Sequence, residues 1–163
     1  APAARGRHAT AAAWLRAQGH TEAALAPALE AARGHPGLAH DWLANGGLAL
    51  RREVLADLNG LAAGKRVPVE LAQRWLADEQ GELRLRFAAE LALDGAAQQL
   101  AAAPAAGLTL PADFQKLSAW FDGINRARGQ LAQAGLRHDL ALAGLLLEWR
   151  SMFTDTAVQG ARR

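Results

Sequence analysis

Glycine and proline cut this chain into Ala- and Leu-rich segments, each roughly ten to twenty residues long, and this punctuation restricts what it can fold into. Ala is the best helix former and Leu ranks close behind. Val, Ile and Thr, which strands favour, are scarce. The segments therefore read as helices and the fold class as all-α. A helix is expected from Ala9 to Gln18, closed by Gly19. Thr21 is a suitable N-cap for a second helix reaching Arg33, in which Pro27 removes a backbone donor and predicts a kink or a delayed start. Gly34 closes that helix. Pro36 fits the first turn of a short third helix carrying Leu38, Trp42 and Leu43.

Asn45-Gly46-Gly47 is the clearest break, and it divides the chain into a small three-helix unit (1–46) and a helical bundle (47–163). Past the break the helices lengthen. One spans Leu48 to Ala63 with an apolar stripe of Leu50, Val54, Leu55, Leu58 and Leu61. Another opens at Pro68 and runs to Leu76; a third covers Glu82 to Ala102. A loop is expected at Ala103–Gly107, then a helix opening at Pro111 and reaching Ala134, interrupted at Gly123. The last helix, Arg137 to Phe153, holds Leu140, Leu142, Leu145, Leu146, Leu147, Trp149, Met152 and Phe153. Little of its circumference is polar, so it must be covered on more than one side. One flank is expected to face another chain. The tail from Thr154 to Arg163 is expected to fray.

Composition removes several classes of function. The absence of Cys excludes disulfides and thiolate metal sites, and fits a reducing, cytoplasmic compartment. No charge-free apolar run of about 18 residues occurs, so no membrane span is expected. The first residues lack the apolar core of a signal peptide. Net charge is +2, with acidic and basic residues mixed along the chain, unlike the clustered basic face of a nucleic-acid binder.

Few residues are arranged for chemistry. There is no phosphate-binding G-x-x-x-x-G-K-[ST] loop, no G-x-S-x-G elbow and no H-E-x-x-H. Ser118 and Ser151 both fall inside expected helices, away from any nucleophile turn. His20, His40, Asp41 and Asp94 could be nominated as metal ligands of a helical hydrolase, but no second His stands at ligand spacing within one helix. Asp139 of His138-Asp139 lies where a carboxylate stabilises a helix start. Asp78, Glu79, Glu82 and Glu90 read as a solvated acidic face, and Arg51, Arg52, Arg84 and Arg86 as solvated or ion-paired arginines. Trp14, Trp42, Trp75, Trp120 and Trp149 each lie in an apolar helical pattern, where core packing is the default. No cofactor, catalytic residue or metal ligand is assigned, and the chain is read as non-enzymatic.

The order of motifs carries a resemblance. Trp14-Leu15, an Ala/Leu helix, Gly34-His35-Pro36-Gly37-Leu38-Ala39 and the closing run from Gly135 to Trp149 resemble the C-terminal part of the δ′ subunits of bacterial DNA polymerase III clamp loaders. The likeness covers most of residues 8–153 and is best at its two ends. It implies that residues 8–45 form a lid and residues 47–153 a collar, following an AAA+ module. Gly37 then falls where ATP-binding relatives place a nucleotide-contacting arginine. Glycine supplies neither that charge nor the forked donors, which fits a subunit that does not hydrolyse ATP. The resemblance further implies partners: the gamma/tau and delta subunits through the collar, with DNA engaged only indirectly and no membrane. Leu140, Leu147 and Trp149 are expected in or beside the shared interface, and the isolated chain is expected to self-associate. Two other readings stay open: a free-standing helical adaptor, and the metal-dependent hydrolase.

Overall fold

A computed structural model describes residues 2–100 and 113–160, with side chains over 6–99 and 113–153. The described residues form α-helices and no strand: α1 Pro2–Ala17, α2 Glu22–Ala31, α3 Pro36–Ala44, α4 Gly47–Ala62, α5 Pro68–Ala77, α6 Gly81–Leu100, α7 Phe114–Gln130 and α8 His138–Gly160. The all-α expectation holds. The loop at Ala103–Gly107 and the helix opening at Pro111 lie outside the described residues. The first helix begins at Pro2, ahead of the expected Ala9, and two further bounds differ in an instructive way. α7 starts at Phe114 because Asp113 caps it, accepting from the backbone N–H groups of Gln115 and Lys116. The backbone of α8 stays helical to Gly160, past the expected end at Phe153.

The chain divides into two compact units, Ala1–Arg52 and Glu53–Arg163. The division falls inside α4, past the expected break at Asn45-Gly46-Gly47. That break still ends α3: Gly46 takes a left-handed backbone (φ 72°), and a Cβ on Gly47 would lie 3.0 Å from the Trp42 ring.

In the first unit α1, α2 and α3 pack on one another. Leu15, Leu25, Ala28, Leu29, Ala32, Ala39 and Trp42 fill the space between them. α2 begins at Glu22, so Pro27 sits within the helix and does not delay its start.

In the second unit α6 packs along α7, and α8 packs against both α5 and α7. Arg128, near the end of α7, bonds Glu82 at the start of α6, so these two helices run antiparallel. The core holds Val54, Leu58, Leu61, Trp75, Phe87, Leu91, Leu117, Trp120, Ile124, Leu146 and Trp149. Full burial of each large side chain contributes about 1.5–3 kcal/mol. Gly123, expected to interrupt α7, lies within a continuous helix. A Cβ there would come within 2.8 Å of Leu145 Cδ2, so the glycine serves the close approach of α8.

Candidate partner interface

α8 is buried on one side and carries an exposed row with two leucines on the other, flanked by the exposed Glu148. Leu142, Leu146, Trp149 and Phe153 follow one another at helical spacing and are all buried. Two residues behind each stand Leu140, Gly144, Leu147 and Ser151, a row on the opposite side and all exposed. Leu140 is 57% and Leu147 45% exposed, and Leu136, in the turn before the helix, is 46% exposed. Gly144 leaves a gap between the two leucines, since a Cβ there would meet nothing within 4 Å. The Ser151 hydroxyl donates to the Leu147 carbonyl and so turns its polarity back onto its own helix.

The buried side holds α8 rigidly. Trp149 Nε1–H donates to the Leu58 carbonyl at 2.9 Å, and Trp120 Nε1–H donates to the Leu145 carbonyl at 2.7 Å. The Trp149 ring lies 4.6 Å from Trp120 and 5.1 Å from Phe153, centroid to centroid. Each buried indole thus has its donor satisfied, as burial demands. Trp149 offers no surface. Its place is in the core, behind the exposed row of Leu140 and Leu147.

At its start α8 is fixed by Arg137, which makes two bonds of 3.1 Å to the Asp139 carboxylate. That pairing, helped by backbone N–H groups at the helix start, holds the Asp139 carboxyl below its ordinary range. His138 bonds the Gln133 carbonyl at 3.0 Å. The His138-Asp139 pair is thereby occupied in starting a helix.

A support that the sequence did not announce lies beneath α5. Asp57 is 4% exposed and sits among the leucines of α4. Its carboxylate accepts from Arg74 Nη2 at 2.7 Å and from Trp75 Nε1 at 2.9 Å, with Arg66 Nε at 3.6 Å. The available signal was a lone Asp on the apolar face of Leu55-Ala56-Asp57-Leu58, with Arg74-Trp75 one helix away.

Of the other nominated residues, two come together. His20 Nε2 and His40 Nδ1 meet at 2.8 Å in the first unit. Asp41 is exposed, and Asp94 belongs to the second unit. No group of three or more His, Cys, Asp or Glu among the described residues could hold a metal ion. Arg84 pairs with Asp78 at 2.7 Å and Glu53 at 3.0 Å, and Arg86 with Glu90 at 3.1 Å. Gly37 is exposed in the first turn of α3, and a Cβ there would meet nothing, so packing does not demand glycine.

No protein family, curated protein or solved structure matches this chain. Among the described residues no helix is long and apolar enough to cross a membrane.

Proposed function

We propose that the chain is a non-catalytic assembly element: the lid and collar of a clamp-loader δ′ subunit, which helps load the sliding clamp on primed DNA during replication. One observation carries the reading. The exposed row Leu140–Leu147 runs along a helix whose opposite side is locked in the core. Burying exposed leucines against a neighbouring helix is favourable at about 25 cal/mol per Å² of apolar surface. Gly144 lets a neighbouring backbone come close between them. A rigid apolar row of this kind suits a subunit held in a ring by side-by-side bundles.

Three further features support the same reading. The motif order of the sequence follows the lid and collar. A smaller unit built on three helices precedes a larger bundle. Gly37 stands where a nucleotide-binding relative would carry arginine. The partners in this reading are the gamma/tau and delta subunits, met through the collar.

Light scattering after size exclusion tests the proposal, with the protein alone and mixed with collar-bearing clamp-loader subunits from the same source. A stable mixed complex is the expected result. If every component is folded and none associates, the clamp-loader assignment is wrong.

A further inference from the structure

The first unit carries two adjoining cavities that the assembly reading leaves unused. One, of about 650 Å³, lies between α1 and the α2–α3 turn and is lined largely by Ala11, Trp14, Thr10 and Pro36. The other, of about 450 Å³, is lined by Arg7, His8, Arg33 and His35. Arg7 and Gly34 line both, so an apolar groove runs into a basic cleft. Among the described residues, none that lines either one is acidic.

The groove is built in advance of any ligand. Trp14 is 42% exposed, whereas the other four tryptophans are 6% exposed or less. The His40 ring meets Trp14 edge-on at 5.6 Å and 74°. His40 is in turn fixed by its 2.8 Å hydrogen bond with His20. Trp14 is thus held in place while its indole stays open, so little ordering remains for a ligand to offset. The far wall is set by two successive left-handed residues, Arg33 (φ 53°) and Gly34 (φ 81°). This turn ends α2, the Gly34 N–H donating to the Leu29 carbonyl at 2.7 Å. A Cβ on Gly34 would lie 3.4 Å from His8 Cε1, so the turn closes directly onto α1.

We propose that this groove binds an acidic peptide segment of a partner protein, with an apolar side chain seated against Trp14 and carboxylates in the Arg7–Arg33 cleft. Exposed Trp beside Arg is the usual composition of an interface hot spot. Guanidinium groups recognise carboxylates through paired, charge-assisted hydrogen bonds. Single-stranded nucleic acid is the poorer fit. It needs successive aromatic platforms along a basic track, and this groove has one indole. The inference stands apart from the α8 interface and does not depend on it.

The test is fluorescence anisotropy of a labelled synthetic peptide, Leu-Phe followed by a run of glutamates, titrated with the full chain. Saturable binding that weakens with added salt is expected. Trp14→Ala and the double variant Arg7→Glu/Arg33→Glu should each weaken it roughly tenfold or more. Circular dichroism and the urea midpoint check that both variants stay folded. Tight binding by the same peptide with lysine in place of glutamate would overturn the proposal. So would undiminished binding by folded Trp14→Ala, or no saturable binding by the native chain. Oligothymidylate that binds more tightly through the same residues would assign the groove to nucleic acid instead.

Discussion

Asp57 shows how one residue can fasten three segments. Its carboxylate faces Arg74, Trp75 and Arg66, and it is nearly closed to water. Asp57→Ala would leave the buried Trp75 N–H with no acceptor, at a cost of about 2–3 kcal/mol. Asp57→Asn keeps an acceptor oxygen and should lose less, because the partnering guanidinium of Arg74 is half exposed and its attraction is screened. Urea denaturation distinguishes the two. A loss below about 0.5 kcal/mol for Asp57→Ala would remove Asp57 from the supports of the core. Asp78 gives a second test at this scale. The Gln80 backbone N–H and the Arg84 side chain hold its carboxyl below the ordinary range. A carboxyl lowered in the folded state contributes stability above its unfolded pKa and loses it as pH falls through the folded value. Melting temperature should therefore fall less on acidification in Asp78→Asn than in the native protein. Equal falls would mean that Asp78 adds nothing to acid sensitivity.

At the scale of the helix, α8 has a buried side and an exposed one. Truncating the inner side empties a packed volume. Trp149→Ala should cost about 3–5 kcal/mol, as large aromatic-to-alanine changes in cores do. Changing the outer side should leave the fold alone. Leu140→Glu/Leu147→Glu is expected to shift stability by less than about 0.5 kcal/mol, since both side chains are exposed. The same double variant should abolish the mixed complex in light scattering. If it destabilises the bundle as Trp149→Ala does, the outer row is core and the interface lies elsewhere. The glycines of these helices are equally divided in purpose. Gly123 permits the approach of Leu145, whereas Gly144 faces open space on the proposed contact row.

The whole molecule consists of two compact units joined through one continuous helix. Each has its own core, but the cores differ in size. A fragment of residues 47–163 retains all of α4 and is expected to unfold cooperatively in urea with helical circular dichroism. A fragment of residues 1–46 is near the size below which a single core seldom sustains a fold, roughly 40 residues, and should show weak helicity. Full helicity of the short fragment together with a molten long one would reverse this account of where stability resides. If the proposed peptide groove is right, ligand should raise the stability of the first unit in the full chain, because it binds only the folded state.

The sequence by itself determined the class of fold and the positions of most helices. Ala and Leu favour helix locally, and Gly and Pro end it locally, so neighbouring residues suffice. Pro36 and Pro68 open α3 and α5 for that reason. The sequence also marked α8 as a helix needing cover on more than one side. Which side was core remained for the tertiary structure, because Leu140 and Leu146 are chemically alike and only packing on α5 and α7 separates them. Trp149 is assigned to the core on the same ground, through a hydrogen bond to a carbonyl 91 residues away. The same holds for Asp57, whose partners sit one helix further along, and for the His20–His40 contact that fixes Trp14. These are long-range juxtapositions, and no local propensity encodes them.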